Sequence, residues 1–384
     1  MLQSNSARKT TGPSIWRRRN PVDGMLVMVL ILLLSAGLLV LFSATYYTSQ
    51  DKANPLAEVE RQLFGIALGA VACFVTSRIP YRFWKDTWVV VAGLAISLVL
   101  LTLVIIPGVG VYINGSRRWL SIAGISFQPS EFAKFAVVLY MAATLTYRGK
   151  GIRSLIFGIV PVLLVPGVVF LLILQQPNLS TAGSILIVAL VMIVIAGAKW
   201  RHILLMIVGG LGLGSFYAWS EPYRRRRLLS FRNPFAMMSD EGYQLSQSLI
   251  AFGSGGLFGM GLGKGRQKYA YLPYPESDFI FAIVGEDFGL VGCLIVIALF
   301  VCLLLAGMRI AMNCRDKFGA LLAAGITVSI TVQAFLNMGV VIGILPTTGL
   351  PLPFFSAGGT SISITMAAVG ILMNISRTAG RMDS

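Results

Sequence analysis

Long apolar runs recur along the whole chain and are separated by short polar stretches. Each run approaches or exceeds the roughly 20 residues that a helix needs to cross a hydrocarbon core of about 30 Å. The ten runs lie at about 24–46, 62–79, 87–107, 131–147, 154–174, 181–198, 202–219, 279–308, 318–344 and 359–376. The pattern predicts an all-α polytopic membrane protein with about ten transmembrane helices. It forms one domain over residues 24–376, between tails at 1–23 and 377–384.

Composition agrees with this pattern. Of the 384 residues, 56% are hydrophobic and only 12% are charged, and the mean hydropathy is +0.80, which excludes an ordinary soluble domain. The first run follows "WRRRNP", but it is too long for a signal-peptide core and no convincing cleavage site ends it. We therefore expect it to be a retained anchor. Glycines four residues apart, at 65/69, 210/214 and 339/343, predict helix-packing contacts.

The distribution of Lys and Arg predicts the orientation in the membrane, because short loops rich in these residues stay cytoplasmic. They concentrate in the two tails and in alternate loops, at 8–19, 78–85, 148–153, 199–201, 309–317 and 377–381. Both termini are therefore expected to be cytoplasmic. The net charge of +16 either reflects the membrane surface or includes a basic cluster with a function, and we expect no nucleic-acid partner.

Residues 220–278 depart from that rule, because they form a long basic loop between the seventh and eighth spans that should lie outside. Long loops can cross the membrane regardless of charge, so the cluster needs no function. Alternatively, an outward basic cluster binds phosphate through Arg forks and Lys point charges. The candidates are Arg224, Arg225, Arg226, Arg227, Arg232, Lys264, Arg266 and Lys268.

The same loop carries the glycine-rich stretch "AFGSGGLFGMGLGKGRQK" at 251–268. It matches neither the Walker pattern nor the dinucleotide fingerprint, so nucleotide binding is not expected. The glycines either bring backbone amides close to an anion or let the chain pack flat on neighbouring helices. The sequence favours neither alternative over the other.

Acid–base chemistry on the outer face must use carboxylates. The only histidine, His202, lies at the inner end of the seventh run, and the four cysteines form no CxxC pattern. Glu131 and Lys134 share one face of a helix that should begin at Pro129, either as a structural ion pair or as a functional intramembrane pair. Asp278 is either an ordinary first-turn acid or, with Glu286 deeper on the same helix, part of a polar cavity.

Several segments resemble the shape, elongation, division and sporulation (SEDS) family, and more its division branch of FtsW type than its elongation branch of RodA type. The main segments are "YRRRRLLSFRNPF", "GYQLSQSLIAFGSGGLFGMGLGKGRQKYAYLP", "SDFIFAIVGEDFGLVG" and "GILPTTGLPLPFFSAGGTS", and "GSRRWLSIAGISFQPSEFAK" and "QPNLSTA" extend the match upstream. The chain departs from the family at Glu276-Ser277, where His-Thr is common. It also has Asn178 in place of an aspartate and Ala357 in place of a tyrosine.

The resemblance implies ten transmembrane helices and a peptidoglycan glycosyltransferase that polymerises lipid II, the undecaprenyl-diphosphate-linked disaccharide-peptide, at the division septum of the bacterial cytoplasmic membrane. It implies that Asp278 is essential. The implied partners are a class B penicillin-binding transpeptidase and other divisome membrane proteins. No cofactor is required, although Mg²⁺ or Mn²⁺ could assist diphosphate departure.

From the chemistry of the reaction, we expect Asp278 to be the base that takes the proton of the acceptor hydroxyl. Preorganised cations and amides should stabilise the diphosphate that leaves. The predicted substrate-binding residues are Glu131, Lys134, Arg117, Arg118, Arg224, Lys264, Arg266, Lys268, Ser277, Glu286, Ser356, Gly358 and Gly359. The alternatives are a lipid II flippase, a noncatalytic divisome scaffold and a RodA-type elongation polymerase.

Overall fold

The computed structural model describes residues 21–46, 56–113, 116–122, 125–220, 225–226, 230–238, 242–269 and 271–379. Each of the ten predicted apolar runs overlaps a helix. The long helices are α1 (Gly24–Thr45), α2 (Ala57–Arg78), α3 (Thr87–Ile105), α4 (Pro129–Arg148), α5 (Val160–Leu174), α6 (Leu179–Ile195), α7 (Trp200–Trp219), α8 (Tyr243–Gly255), α9 (Ile280–Asn313), α10 (Lys317–Val341) and α11 (Gly359–Ala379).

Seven helical stretches in the described part of the chain are long and apolar enough to cross a membrane. They correspond to α1, α2, α3, α5 with the turn of π-helix before it, α9, α10 and α11. The prediction of a helical, multi-pass membrane protein is confirmed. The count of ten crossings stays a prediction, because α4 carries charges and α6 is short.

Local sequence signals set several helix boundaries. The side chains of Asp23, Asp86 and Asp316 accept hydrogen bonds from the first-turn amides of α1, α3 and α10. Pro129 stands at the start of α4, as the sequence predicted. Helix α9 is two helices joined at a kink, because Gly289 has φ +66° and ψ −160°.

A small antiparallel sheet between α3 and α4 departs from the all-α prediction. Its strands are β1 (Gly110–Ile113), β2 (Ser116–Ile122) and β3 (Ile125–Phe127), in the order β1–β2–β3. Leu120 of β2 is opposite Gly110 of β1 and Phe127 of β3. Strands this short and a hairpin this close to a span carry too little periodicity to predict.

Close packing of α2 against α11 depends on glycine. A Cβ on Gly65 would overlap the backbone of Gly359, and one on Gly69 would overlap the side chain of Met366. The packing prediction for this pair is therefore confirmed. It is wrong for Gly210/Gly214, where no described atom lies within 4 Å of the Cβ position, and for Gly343, whose φ of +75° lies just beyond the end of α10.

The start of α1 and the end of α11 lie at the same end of the bundle. The backbone N–H of Asp23 donates to Ser376 Oγ (3.2 Å), and the N–H of Tyr81, after α2, donates to Asn374 Oδ1 (2.8 Å). The helix starts at Pro129, Ile280 and Gly359 lie at the other end, which we call the Asp278 end. This arrangement is the one expected for an even number of crossings, such as the ten that the sequence predicts.

Residues 220–278 are more structured than the predicted loop. They contain α8 and a 3₁₀ turn at Pro234–Met237. Helix α8 packs against α9, and Ser248 Oγ donates to Val341 O at the end of α10 (2.7 Å). The described parts of this segment are therefore packed against the helical bundle.

Candidate active site

Asp278 lies before helix α9, and not in its first turn. The helix begins at Ile280 with Phe279 as its cap residue, so the interpretation of Asp278 as an ordinary first-turn acid is wrong. The Asp278 carboxylate is half-buried. Its backbone carbonyl accepts a hydrogen bond from Asn337 Nδ2 (2.7 Å). The residue therefore presents its carboxylate from a fixed, non-helical backbone.

Arg118 and Asp278 border the same small space beside Gly349. A Cβ built on Gly349 would stand 3.6 Å from Arg118 Nη1 and 3.7 Å from Asp278 Oδ2. Arg118 also donates from Nε to Gln176 O (3.2 Å) and from Nη2 to Pro177 O, so the guanidinium is held between β2 and the start of α6. The Asp278 carboxylate and the Arg118 guanidinium thus both lie within 4 Å of the Cβ position of Gly349, which has no side chain to fill the space between them.

Neighbouring Arg117 points elsewhere. Its guanidinium carbon lies 5.7 Å from the centroid of the Tyr112 ring across the β1–β2 hairpin. Such a cation–π contact leaves the charge accessible. Arg117 is therefore held near the site but apart from the Arg118–Gly349–Asp278 space.

The segment between α10 and α11 supports the backbone around Asp278. Ser356 Oγ accepts from Leu352 N (2.8 Å) and donates to Ser277 O (2.5 Å), and Ala357 N donates to Glu276 O (2.8 Å). Ser356, predicted as a substrate ligand, is buried and uses its hydroxyl for these two bonds. It fastens two segments of the site to each other.

Gly358 and Gly359 begin helix α11 at the same end, as predicted. The N–H of Gly358 donates to Gln62 Oε1 (3.2 Å), and Gln62 Nε2 donates to Ser356 O (3.2 Å). Gly359 lies against Gly65 of α2. One amide of the predicted anion-binding helix end is therefore already used by a side chain of α2.

Glu131 and Lys134 form the predicted ion pair on one face of α4. Glu131 Oε1 and Lys134 Nζ are 2.9 Å apart, and their side chains are only 1% and 5% exposed. Glu131 Oε2 accepts from Ser361 Oγ of α11 (2.7 Å), and Lys134 Nζ donates to Gln333 Oε1 of α10. Gln333 Nε2 donates in turn to Pro351 O (2.8 Å). The pair thus connects three helices to the segment that supports Asp278.

These contacts bring most of the predicted residues together at one end of the bundle. The connected set is Arg118, Glu131, Lys134, Ser277, Asp278, Ser356, Gly358 and Gly359. Lys264 and Arg266 are exposed on the glycine-rich loop, outside this set. Arg224 lies outside the described residues.

Lys268 and Glu286 belong to a second, buried cluster. Lys268 Nζ lies 2.9 Å from Asp287 Oδ1, 3.1 Å from Asp287 Oδ2 and 2.9 Å from Ser43 Oγ of α1, and both charged side chains are 0% exposed. Glu286 Oε1 accepts from the backbone N–H groups of Arg266 (2.5 Å) and Gln267 (3.0 Å). Both residues hold the loop in place, so neither the phosphate-binding role expected of Lys268 nor the polar cavity expected along Glu286 fits their positions.

The glycine-rich loop packs flat on the kinked helix α9. Met260 N donates to Glu286 O (2.9 Å) and Gly261 N donates to Asp287 O (3.1 Å). A Cβ on Gly259 would overlap the carbonyl of Asp287, and the φ of Gly259 is +82°. Of the two alternatives that the sequence left open, close packing therefore accounts for this stretch.

Sequence reasoning missed the neutral polar side chains that connect the site: Gln62, Gln333, Asn337 and Ser361. A signal for two of them was present. Gln333 and Asn337 interrupt the ninth apolar run four residues apart, and polar groups inside a membrane helix are costly unless they are satisfied. Because both are uncharged, the positions of the ionisable residues gave no indication of them.

No three His, Cys, Asp or Glu side chains in the described part of the chain come together as a metal site. Mg²⁺, however, often uses one or two carboxylates together with substrate phosphates, so a single carboxylate such as Asp278 could serve with a bound diphosphate.

Comparison with known proteins identifies the family. The family model described as "Cell cycle protein", which covers FtsW, RodA and SpoVE, matches residues 23–380. The chain belongs to this family. It is 41% identical to "Stage V sporulation protein E" of Bacillus subtilis, over 94% of this chain and 98% of that protein. It is 39% identical to "Probable peptidoglycan glycosyltransferase FtsW" of Geobacter metallireducens, over 92% and 94%.

Solved structures agree with the assignment. One, described as "Structural coordination of polymerization and crosslinking by a peptidoglycan synthase complex", matches with a TM-score of 0.77 at 26% identity, over 95% of this chain and 100% of that chain. The rod shape determining protein RodA of Thermus thermophilus matches with a TM-score of 0.65 at 27% identity, over 94% and 98%. The predicted SEDS fold is confirmed.

Proposed function

We propose that this protein is a peptidoglycan glycosyltransferase of FtsW type that polymerises lipid II outside the cytoplasmic membrane. The observation that carries the proposal is the placement of both Asp278 and Arg118 within 4 Å of the Cβ position of Gly349. A half-exposed carboxylate next to a guanidinium offers a proton acceptor and a phosphate-binding cation at one place. The names of the relatives support the same activity.

In this proposal Asp278 accepts the proton of the acceptor sugar hydroxyl as that oxygen attacks the anomeric carbon of the donor. The new glycosidic bond forms as the bond to the undecaprenyl diphosphate breaks, with inversion at the anomeric carbon. The electron pair of the broken bond leaves with the diphosphate. A sugar hydroxyl is a poor nucleophile near neutral pH, so a positioned base is needed.

Arg118 is the first candidate to stabilise the departing diphosphate, because it is the cation placed beside Asp278. Arg117, Lys264, Arg266 and Arg224 remain candidates for contacts with more distant phosphate or peptide groups. Glu131 and Lys134 are nearly inaccessible, so we assign them to holding α11 and the segment around Pro351 in the geometry that binds substrate. A divalent cation, if it takes part, would be held by Asp278 and the substrate phosphates.

We place the protein in a bacterial cytoplasmic membrane at the division septum, with both termini cytoplasmic and the Asp278 end outside. The common location of the start of α1 and the end of α11 supports one side for both termini, and the charge of the loops favours the cytoplasmic side. A class B penicillin-binding transpeptidase is the proposed partner, since a structurally similar chain is found in a peptidoglycan synthase complex that combines polymerisation with crosslinking.

Similarity to the B. subtilis sporulation protein favours a second setting for the same chemistry, spore formation. Depletion in growing cells separates the two. A division role predicts filaments without septa, whereas a sporulation role predicts normal growth and failure only during spore formation.

The biochemical test uses purified protein, alone and with its transpeptidase, supplied with lipid II in detergent or liposomes. Each reaction is run with and without Mg²⁺. We expect glycan strands from the wild type and none from a folded Asp278→Ala variant. Transport of lipid II across liposomes without polymer would instead indicate a flippase. A wild type that binds the transpeptidase but neither polymerises nor transports would indicate a scaffold.

A further inference from the structure

Asn337 holds the backbone on both sides of the space between Asp278 and Arg118. It lies in α10 with 1% of its surface exposed. Its Nδ2 donates to Asp278 O (2.7 Å) and to Leu350 O (2.6 Å). Leu350 follows Gly349, the residue that forms the third wall of that space. The Asn337 amide therefore joins Asp278 to Leu350, the neighbour of Gly349 on the other side of that space.

The orientation of the Asn337 amide is determined by its partners. Both acceptors are backbone carbonyls, so only the NH₂ group can face them. Gln333, one turn earlier on the same face of α10, repeats the arrangement. Its Nε2 donates to Pro351 O (2.8 Å) while its Oε1 accepts from Lys134. Two side-chain amides thus fix the consecutive carbonyls of residues 350 and 351.

Packing alone does not require side-chain amides at positions 333 and 337. Helix α10 is otherwise largely apolar and buried, and a leucine would fill the volume of Asn337 without the cost of burying an amide. Residues 342–358, in which the amide bonds the carbonyl of Leu350, have no helix of their own apart from a terminal turn, because Pro346, Pro351 and Pro353 prevent one. The side chains of α10 therefore donate to the carbonyls of Leu350 and Pro351, which lie outside the helices and strands.

We propose that Asn337 is a positioning residue of the transferase, which sets the separation and direction of the Asp278 carboxylate relative to Arg118. This inference rests on the proposed function, in which Asp278 is the base. Asn337 acts through backbone carbonyls and has no role in binding lipid II. Gln333 supports it by holding the adjacent carbonyl and connecting it to Lys134.

Loss of the Asn337 donors should lower kcat and leave KM nearly unchanged. The carboxylate would remain present but displaced, and a misplacement of about 1 Å can cost on the order of 100-fold in rate. Because Asn337 bonds only the backbone carbonyls of Asp278 and Leu350 in this arrangement, its loss should affect the chemical step more than binding, and KM should stay within about twofold of the wild type.

The test compares three substitutions with a matched control. Asn337→Leu keeps the branched shape, adds some volume and removes both donors. Asn337→Asp keeps the shape but presents acceptor oxygens to two carbonyls when ionised. Asn337→Ser retains one short donor. The control is Thr331→Val, which changes a buried polar residue of the same helix whose hydroxyl donates only to backbone carbonyls of α10.

Purified variants are assayed for initial polymerisation rate against lipid II concentration and for thermal unfolding in detergent. We expect kcat to fall by about 10- to 100-fold in Asn337→Leu and Asn337→Asp. We expect an intermediate fall in Asn337→Ser and wild-type rates in Thr331→Val.

Wild-type kcat in the folded Asn337 variants would overturn the inference, as would losses that only follow the folded fraction or a rise in KM at constant kcat. Failure of the proposed function gives a different result, since the wild type would then be inactive or Asp278→Ala would be active. An active wild type, an inactive Asp278→Ala and fully active Asn337 variants refute the positioning role alone.

Discussion

Replacing Lys268 with methionine should destabilise the protein without changing how it binds substrate. Lys268 and Asp287 are 0% exposed and form a two-oxygen contact at 2.9 and 3.1 Å, with Ser43 of α1 as a shared partner. The substitution removes the cation and leaves the Asp287 carboxylate buried with the neutral Ser43 hydroxyl. Breaking a buried pair in this way costs about 3–5 kcal/mol.

Thermal unfolding in detergent measures that cost. For a chain of 384 residues we expect a fall in Tm of about 4–6 °C. Replacing both partners, with Lys268→Met and Asp287→Leu together, should recover much of the loss, because a well-packed apolar pair is often as stable as a buried ion pair. Lys264→Met, on the same loop but exposed, is the control and should leave Tm unchanged.

The result that refutes this reasoning is a Lys268→Met variant with wild-type Tm and a raised KM for lipid II. That outcome would return Lys268 to the substrate-binding role that its sequence context predicted.

Three further predictions concern the Glu131–Lys134 pair, the glycine-rich loop and the orientation in the membrane. Glu131→Gln should lower Tm, because it leaves the buried Lys134 ammonium without its carboxylate partner, and should lower polymerisation further than the folded fraction falls, because α11 and the segment around Pro351 lose part of their support; a loss of activity that only follows the folded fraction would limit the pair to stability. Gly259→Ala should lower Tm, because its φ is +82° and a Cβ would overlap Asp287 O, whereas Gly253→Ala, with open space around it, should not. A single cysteine at Lys264 should react with an impermeant maleimide from outside intact cells, and protection there would reverse the proposed orientation.

The fold was largely predictable because membrane helices depend on one local property. Runs of about 20 apolar residues must satisfy their backbone internally, so each predicts a helix. The β1–β3 sheet and helix α8 were not predictable in this way. Both lie in segments of mixed polarity, where pairing and packing with distant parts of the chain determine the structure.

The candidate site was predictable where chemistry was local and not where it was long-range. Glu131 and Lys134 are three residues apart on a helix, so their contact followed from spacing. Lys268 meets Asp287 and Ser43 only through the fold, and an exposed basic loop and a buried ion pair look alike in sequence. Asp278 was identified by its motif, but its support by Asn337 depends on residues 59 positions apart.

Polymerisation of lipid II by the purified protein and by Asp278→Ala is the measurement that tests the central claim most directly. The account predicts glycan strands from the wild type, alone or with its transpeptidase, and no strands from an Asp278→Ala variant that has the same Tm and binds the transpeptidase equally well. Strands from that variant at the wild-type rate would contradict the account.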